Sequence, residues 1–214
     1  MIKLLLVDDS ELITGGLAVL LGVEADFTVV ECVDRGEEAV RICQQQSIDV
    51  VLMDVRMPGM SGVEATEQIT ETTDTKVIIL TTFDEDEYIV EGIKNGAVGY
   101  LLKNTEPQQL IQAIRSVMKG QSILSQDVLA KAKQGLNPAQ KTADLTSLTP
   151  REVEITRLVA AGLSNKQIAT QLYLTEGTVN NSLSTILHKL ELEHRTQVAI
   201  YYLTGKAGDH DATF

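Results

Sequence analysis

Asp8 and Asp9 in tandem, Asp54, Thr81 and Lys103 are the residues of this 214-residue chain whose types together could do chemistry. If they share one crevice, the carboxylates repel one another, and unless protonated they need a cation among them. An all-oxygen donor set with no His or Cys beside it suits a hard ion, so Mg²⁺ fits better than zinc or another soft metal. Carboxylates, a hydroxyl and an ammonium make a set that handles phosphoryl groups. One Asp would be the nucleophile, the metal and Lys103 would hold the transferred group's oxygens, and Thr81 would donate a hydrogen bond to it.

That chemistry requires elements that bring distant residues to one place. Ile2–Val7, Thr28–Val33, Ile48–Met53, Val77–Thr81 and Val98–Leu102 are short, apolar and rich in branched side chains, as buried strands are. Between and after them the apolar residues recur at helical spacing: Leu12, Ile13, Leu17 and Leu20; Ala39, Val40 and Cys43; Val63 and Ile69; Ile89 and Ile93; Leu110, Ile111, Ile114, Val117 and Met118. Five strands alternating with five helices predict a doubly wound α/β fold, a five-stranded parallel sheet covered on both faces. Ligands then bind outside the carboxyl ends of the strands. Asp8 and Asp9 end the first strand, Asp54 the third and Thr81 the fourth, and Lys103 follows the fifth. A single Asp at a strand end is ordinary turn or cap chemistry. The coincidence of all five on one rim carries the phosphoryl reading.

Asp8-Asp9, Asp54 followed by Met57-Pro58-Gly59-Met60 and Gly62, Thr81, and Gly99-Tyr100-Leu101-Leu102-Lys103 resemble the flavodoxin-like receiver domain of bacterial response regulators over about residues 1–120. The resemblance implies that Asp54 accepts a phosphoryl group from a sensor histidine kinase. It implies that Asp8, Asp9, Asp54 and the backbone carbonyl of Arg56 hold Mg²⁺, that Thr81 and Lys103 bind the acyl phosphate, and that Tyr100 moves inward behind Thr81 as the switch.

The net charge of −12 argues against a chain whose whole surface grips nucleic acid. It is unevenly placed: residues 1–120 hold 9 basic and 21 acidic groups, whereas 146–204 hold 5 of each. A linker is expected over 121–145, where Gly135 and Asn137-Pro138 interrupt any helical stripe, and a frayed tail over 206–214. The acidic run Asp84–Glu87 reads as a charged helix start. Cys32 and Cys43 read as buried thiols without a function. No apolar run approaches the ~20 residues that cross a bilayer, and the N-terminus lacks a cleavable signal pattern. A soluble, cytoplasmic protein with no membrane partner is expected.

From residue 146 to 205 a small all-α domain is predicted. Thr149-Pro150-Arg151-Glu152 opens a helix with a capping box and an inner face of Ile155, Leu158 and Val159. Gly162 stops it, and Ser164 to Gln167 opens a second helix with Ile168, Ala169 and Leu172 inside. After a three-residue turn, Thr175 caps a third helix with Val179, Leu183, Ile186, Leu187 and Leu190 inward. A fourth begins near Thr196 and carries Val198, Ala199 and Tyr202. A tight turn between the second and third helices suits a helix-turn-helix that places the later helix in the major groove. Leu148 to Ile200 resembles the effector domain of LuxR-type regulators of the NarL/FixJ family. The resemblance implies that the helix from about Glu176 reads promoter DNA and that the helix after Arg195 makes a homodimer contact.

Where that family carries a basic residue after Thr178-Val179, this chain has Asn180-Asn181-Ser182. Asn can pair bidentately with adenine, so Asn180 and Asn181, with Thr178 and Ser184, are the base-reading candidates. Lys166, Lys189 and Arg195 are left for phosphates, with help from His188 or His194. Two alternatives stay open. One is a DNA-binding regulator that works without phosphorylation. The other is a Mg²⁺-dependent phosphatase on the same frame, although Arg56 stands where such an enzyme needs an acid or base, two residues after its nucleophile.

Overall fold

The computed structural model describes residues 1–82, 87–124 and 143–205. Residues 84–86 of the acidic run, 125–142 of the expected linker and the tail over 206–214 lie outside them. The chain divides into two units, residues 1–123 and 124–214.

Over residues 1–124 strands and helices alternate: β1 (Ile2–Val7), α1 (Glu11–Gly22), β2 (Phe27–Val33), α2 (Gly36–Gln45), β3 (Val50–Asp54), α3 (Gly62–Thr72), β4 (Lys76–Thr81), α4 (Glu87–Lys94), β5 (Gly99–Leu102), α5 (Pro107–Met118) and β6 (Ile123–Leu124). They build one sheet in the order β2-β1-β3-β4-β5-β6. The pairs of β1 with β2, β1 with β3, β3 with β4 and β4 with β5 are all parallel. The central strands are largely apolar because helices cover both faces, and all five residues of β3, Asp54 at its end included, are buried. The sheet has six strands and not the expected five. The Ile123 N–H donates to Val98 O at 2.9 Å and extends the edge, and a two-residue strand shows no apolar period.

Three expectations about inner faces need correction. In α1 the buried residues are Thr14 and Leu21, with Leu17 and Ala18 packed on the core, while Leu12 is 86% exposed. The helix turns the face of Thr14, Leu17, Ala18 and Leu21 inward, a spacing as regular as the expected one, because a nearly uniformly apolar helix does not mark its inner side. Met118, at the end of α5, is exposed. Cys32 is also exposed, since β2 is an edge strand, whereas Cys43 is buried and burial pushes its thiol up to about 11.

The second unit packs α6 (Pro150–Ala160), α7 (Asn165–Leu172), α8 (Glu176–Lys189) and α9 (Arg195–Thr204) around Ile155, Ile168, Val179, Ile186 and Val198. Capping boxes start α6 and α7, with Thr149 paired to Glu152 and Ser164 to Gln167, and the Thr175 hydroxyl accepts from Thr178 N to start α8. Tyr173 ends α7 in the left-handed region at φ 57° and begins the turn into α8. Leu187 and Tyr202 are half-buried, short of the full burial expected of core.

Candidate functional site

The rim at the carboxyl ends of β1, β3, β4 and β5 collects the five residues picked out by their chemistry. Asp8, Asp54 and Thr81 are each less than 5% exposed, and Asp9 lies at the open side. Carboxylate oxygens of Asp8, Asp9 and Asp54 all lie within 4.8 Å of one another. Lys103 Nζ is 2.8 Å from Asp8 Oδ2 and 2.8 Å from Asp54 Oδ1, so one ammonium bridges the two buried carboxylates.

The backbone fixes this geometry. Lys103 N–H donates to Thr81 O at 2.7 Å, which locks the end of β5 to the end of β4. Asp8 Oδ1 accepts from Ser10 N at 3.0 Å, and Asp54 Oδ1 accepts from Val55 N at 2.8 Å. The loop after Asp54 is drawn in by Gly62 N, which donates to Val55 O at 2.9 Å. It is also held from α2, where Glu37 Oε1 accepts from Met60 N at 2.9 Å. Glu37 was not singled out in the sequence, because a Glu in the first turn of a helix ordinarily complements only the dipole. Gly59 turns that loop at φ +84°.

The charges do not balance. One ammonium faces three carboxylates, and burial raises the Asp54 carboxyl to about 6 against the pull of Lys103. Burial alone would lower the Lys103 ammonium, but its hydrogen bonds to Asp54 and Asp8 prevail and raise it. A pocket with oxygen donors, surplus negative charge and one exposed carboxylate at its mouth fits a hard divalent cation. Thr81 Oγ1 donates to Thr82 O at 3.2 Å, a weak local bond that a better acceptor can displace. Tyr100 is fully buried, its ring lying against Gly92 of α4. The Arg56 guanidinium stacks over the Tyr88 ring at 5.7 Å.

In the second unit Thr178, Asn180, Asn181 and Ser184 are exposed along α8, opposite the buried Val179, Leu183 and Ile186, and Lys166 is exposed at the start of α7. Lys189, expected to contact a phosphate, has a partner within the unit. Its Nζ lies 3.0 and 2.7 Å from the two carboxylate oxygens of Glu152, so its charge is neutralised inside the unit. Arg195, expected to contact a phosphate, is half-buried, with its guanidinium on Asn165 Oδ1 and Leu163 O. His188 is exposed, and His194 caps α9. Residue type alone did not separate Lys166 from Lys189, because Glu152 stands 37 positions before Lys189.

Residues 4–115 match the model of the response regulator receiver domain, and residues 146–202 match that of bacterial regulatory proteins of the luxR family. The chain is 41% identical over 203 residues to the transcriptional regulatory protein LiaR of Bacillus subtilis (strain 168), covering 94% of this chain and 96% of that protein. It is 34% identical over 202 residues to the nitrate/nitrite response regulator protein NarL of Escherichia coli (strain K12), covering 92% and 93%. Among solved structures, the response regulator ChrA of a heme-sensing two-component system superposes with a TM-score of 0.57 at 33% identity, over 92% of this chain and 94% of that one. With a receiver followed by a LuxR-type helical domain, the chain belongs to the NarL/FixJ family of response regulators, transcriptional regulators switched by phosphorylation.

Proposed function

We propose that Asp54 accepts a phosphoryl group from a sensor histidine kinase and that its phosphorylation tightens the grip of a homodimer on promoter DNA. The observation that carries this is the bridge of Lys103 Nζ between Asp8 and Asp54 in the three-carboxylate cluster. Asp54 Oδ2, which makes neither the Val55 nor the Lys103 bond, attacks phosphorus as the P–N bond to the donor histidine breaks. The imidazole nitrogen takes up a proton and an acyl phosphate remains. Lys103 then pairs with the new phosphoryl oxygens, and Thr81 turns its hydroxyl from Thr82 O to one of them. Asp8, Asp9, Asp54 and the Arg56 carbonyl would hold Mg²⁺, which would supply charge neutralisation for the incoming group.

On the DNA side, Thr178, Asn180, Asn181 and Ser184 face the bases and Lys166 a phosphate. Pairing of two copies compensates for sparse phosphate contacts, because linked half-site readers gain avidity. The α1 face supports pairing through the receiver: Leu12, Val19 and Val23 are 74 to 86% exposed, and Glu11 is the helix's one charged residue. On a receiver this acidic, an uncharged face lets two copies meet without repulsion.

The regulator reading, without turnover of an external substrate, is supported by Arg56, whose guanidinium cannot serve as an acid or base near neutral pH. No helix among the described residues is long and apolar enough to cross a membrane, which agrees with action in the cytoplasm. The test is capture of genomic promoter fragments with and without prior treatment by an acyl-phosphate donor and Mg²⁺. Phosphorylation should tighten binding to specific fragments roughly 5- to 150-fold, the span of ordinary coupling energies. Equal affinity at full phosphorylation removes the switch, and absence of any preferred fragment removes the DNA reading.

A further inference from the structure

Arg195, Asn165 and Asn180 form a polar chain that runs from a half-buried guanidinium to the exposed face of α8. Arg195 Nη1 donates to Asn165 Oδ1 and Nη2 to Leu163 O, while Asn165 Nδ2 donates to Asn180 Oδ1. The order of these bonds follows from chemistry. A guanidinium has only donors, so the atom of Asn165 facing it has to be the oxygen. The amino group of Asn165 is then turned to Asn180, and the atom of Asn180 that receives it is again the oxygen. A group that cannot reverse its own polarity therefore sets the direction of an amide two side chains away. Burial draws the Arg195 guanidinium down to about 10, which leaves it charged at neutral pH.

We propose that Arg195 and Asn165 are positioning residues that set base specificity. They hold the Asn180 carboxamide with Oδ1 turned into the protein and Nδ2 turned out, so that Asn180 meets the major groove as a hydrogen-bond donor. This deepens, and rests on, the reading that α8 enters the groove. Bidentate recognition of adenine needs the oxygen and the amino group of one Asn side by side on the base edge, and the relay draws the oxygen towards Asn165 instead. A donor alone selects edges that carry acceptors. Guanine, with N7 and O6, offers two, whereas cytosine presents only its N4 amino donor and is rejected.

Asn165→Asp makes the decisive variant. An aspartate of the same shape still accepts from Arg195, but it now shows Asn180 an acceptor. Asn180 then reverses, donating inward and presenting Oδ1 to the DNA. Selection of binding sites from randomised duplexes, with the full-length phosphorylated protein, reads the result. Wild type should favour guanine over cytosine by about tenfold at the position that Asn180→Ala makes indifferent. Asn165→Asp should shift that position to bases with an amino donor, cytosine or adenine. Altered preference in Asn180→Ala with none in Asn165→Asp overturns the relay and leaves α8 in the groove. Unchanged preference in Asn180→Ala overturns the placement of Asn180 at a base, and the relay's role with it. If Asn165→Asp does not fold, side-chain amide exchange in the wild type decides. The Asn165 amino protons should exchange slowly and those of Asn180 fast, and the reverse order overturns the proposal.

Discussion

Asp54→Asn should abolish phosphoryl acceptance and at the same time make the receiver more stable at neutral pH. The first effect follows from losing the attacking carboxylate: an amide keeps the hydrogen bonds to Val55 N and Lys103 Nζ but is no nucleophile for phosphorus. The second follows from the folded-state carboxyl, which burial raises from 3.8 to about 6. Below pH 4 the group is protonated in the folded and unfolded chain alike and contributes nothing. Between pH 4 and 6 the unfolded chain ionises first, so the folded state loses ground, and above pH 6 the deficit is complete. Two pKa units correspond to roughly 3 kcal/mol. The Tm of Asp54→Asn should therefore exceed that of wild type by on the order of 10 °C at pH 8 without metal, and the gap should close towards pH 4. Millimolar Mg²⁺ should narrow the gap at pH 8 by stabilising the wild type. Thermal unfolding of both proteins across this range, with and without EDTA, measures it. A pH-independent difference would show that the Asp54 charge carries no folding penalty, and phosphorylation of the variant would move the acceptor elsewhere.

The parts of this site that were legible in the sequence owe it to the parallel sheet. Buried strands are short continuous apolar runs, and the first polar residue after each run lies on the rim, so Asp8, Asp54, Thr81 and Lys103 could be placed together without any contact being known. What was illegible depends on choices made in three dimensions. The inner face of α1 is one of two apolar faces, and only packing chooses between them. Lys166 and Lys189 look alike in the chain, but Glu152, which also closes the cap of α6 by accepting from Thr149 N at 2.7 Å, pairs with Lys189 and leaves Lys166 alone. Asn165 lies unremarkably within the stretch Ser164 to Gln167 that opens a helix. Its part in orienting Asn180 emerges only when Arg195, 30 residues later, is folded back onto it.

Gly62→Ala should cost the receiver roughly 3–5 kcal/mol and cripple phosphoryl acceptance, although Gly62 offers no functional group. A Cβ at this position would lie 1.7 Å from Asp54 O and 3.0 Å from the Met53 side chain. The Asp54 carbonyl is backbone of β3 and cannot swing aside. The first turn of α3 must therefore retreat from the strand, and with it the turn bond from Gly62 N to Val55 O. That bond holds Val55, whose own N–H fixes Asp54 Oδ1 beside Lys103. A retreat of an ångström there is enough to misplace the nucleophile. The contrast lies on α1, where Cβ atoms at Gly15 and Gly16 meet nothing within 4 Å. Alanine at either place should stabilise the unit by roughly 0.5–1 kcal/mol, since glycine is a poor residue inside a helix. Urea unfolding of the three variants, with phosphorylation followed in parallel, tests both halves. If Gly62→Ala is as stable and as readily phosphorylated as wild type, α3 can move off β3 at no cost, and the Gly62 contact has no part in placing Asp54.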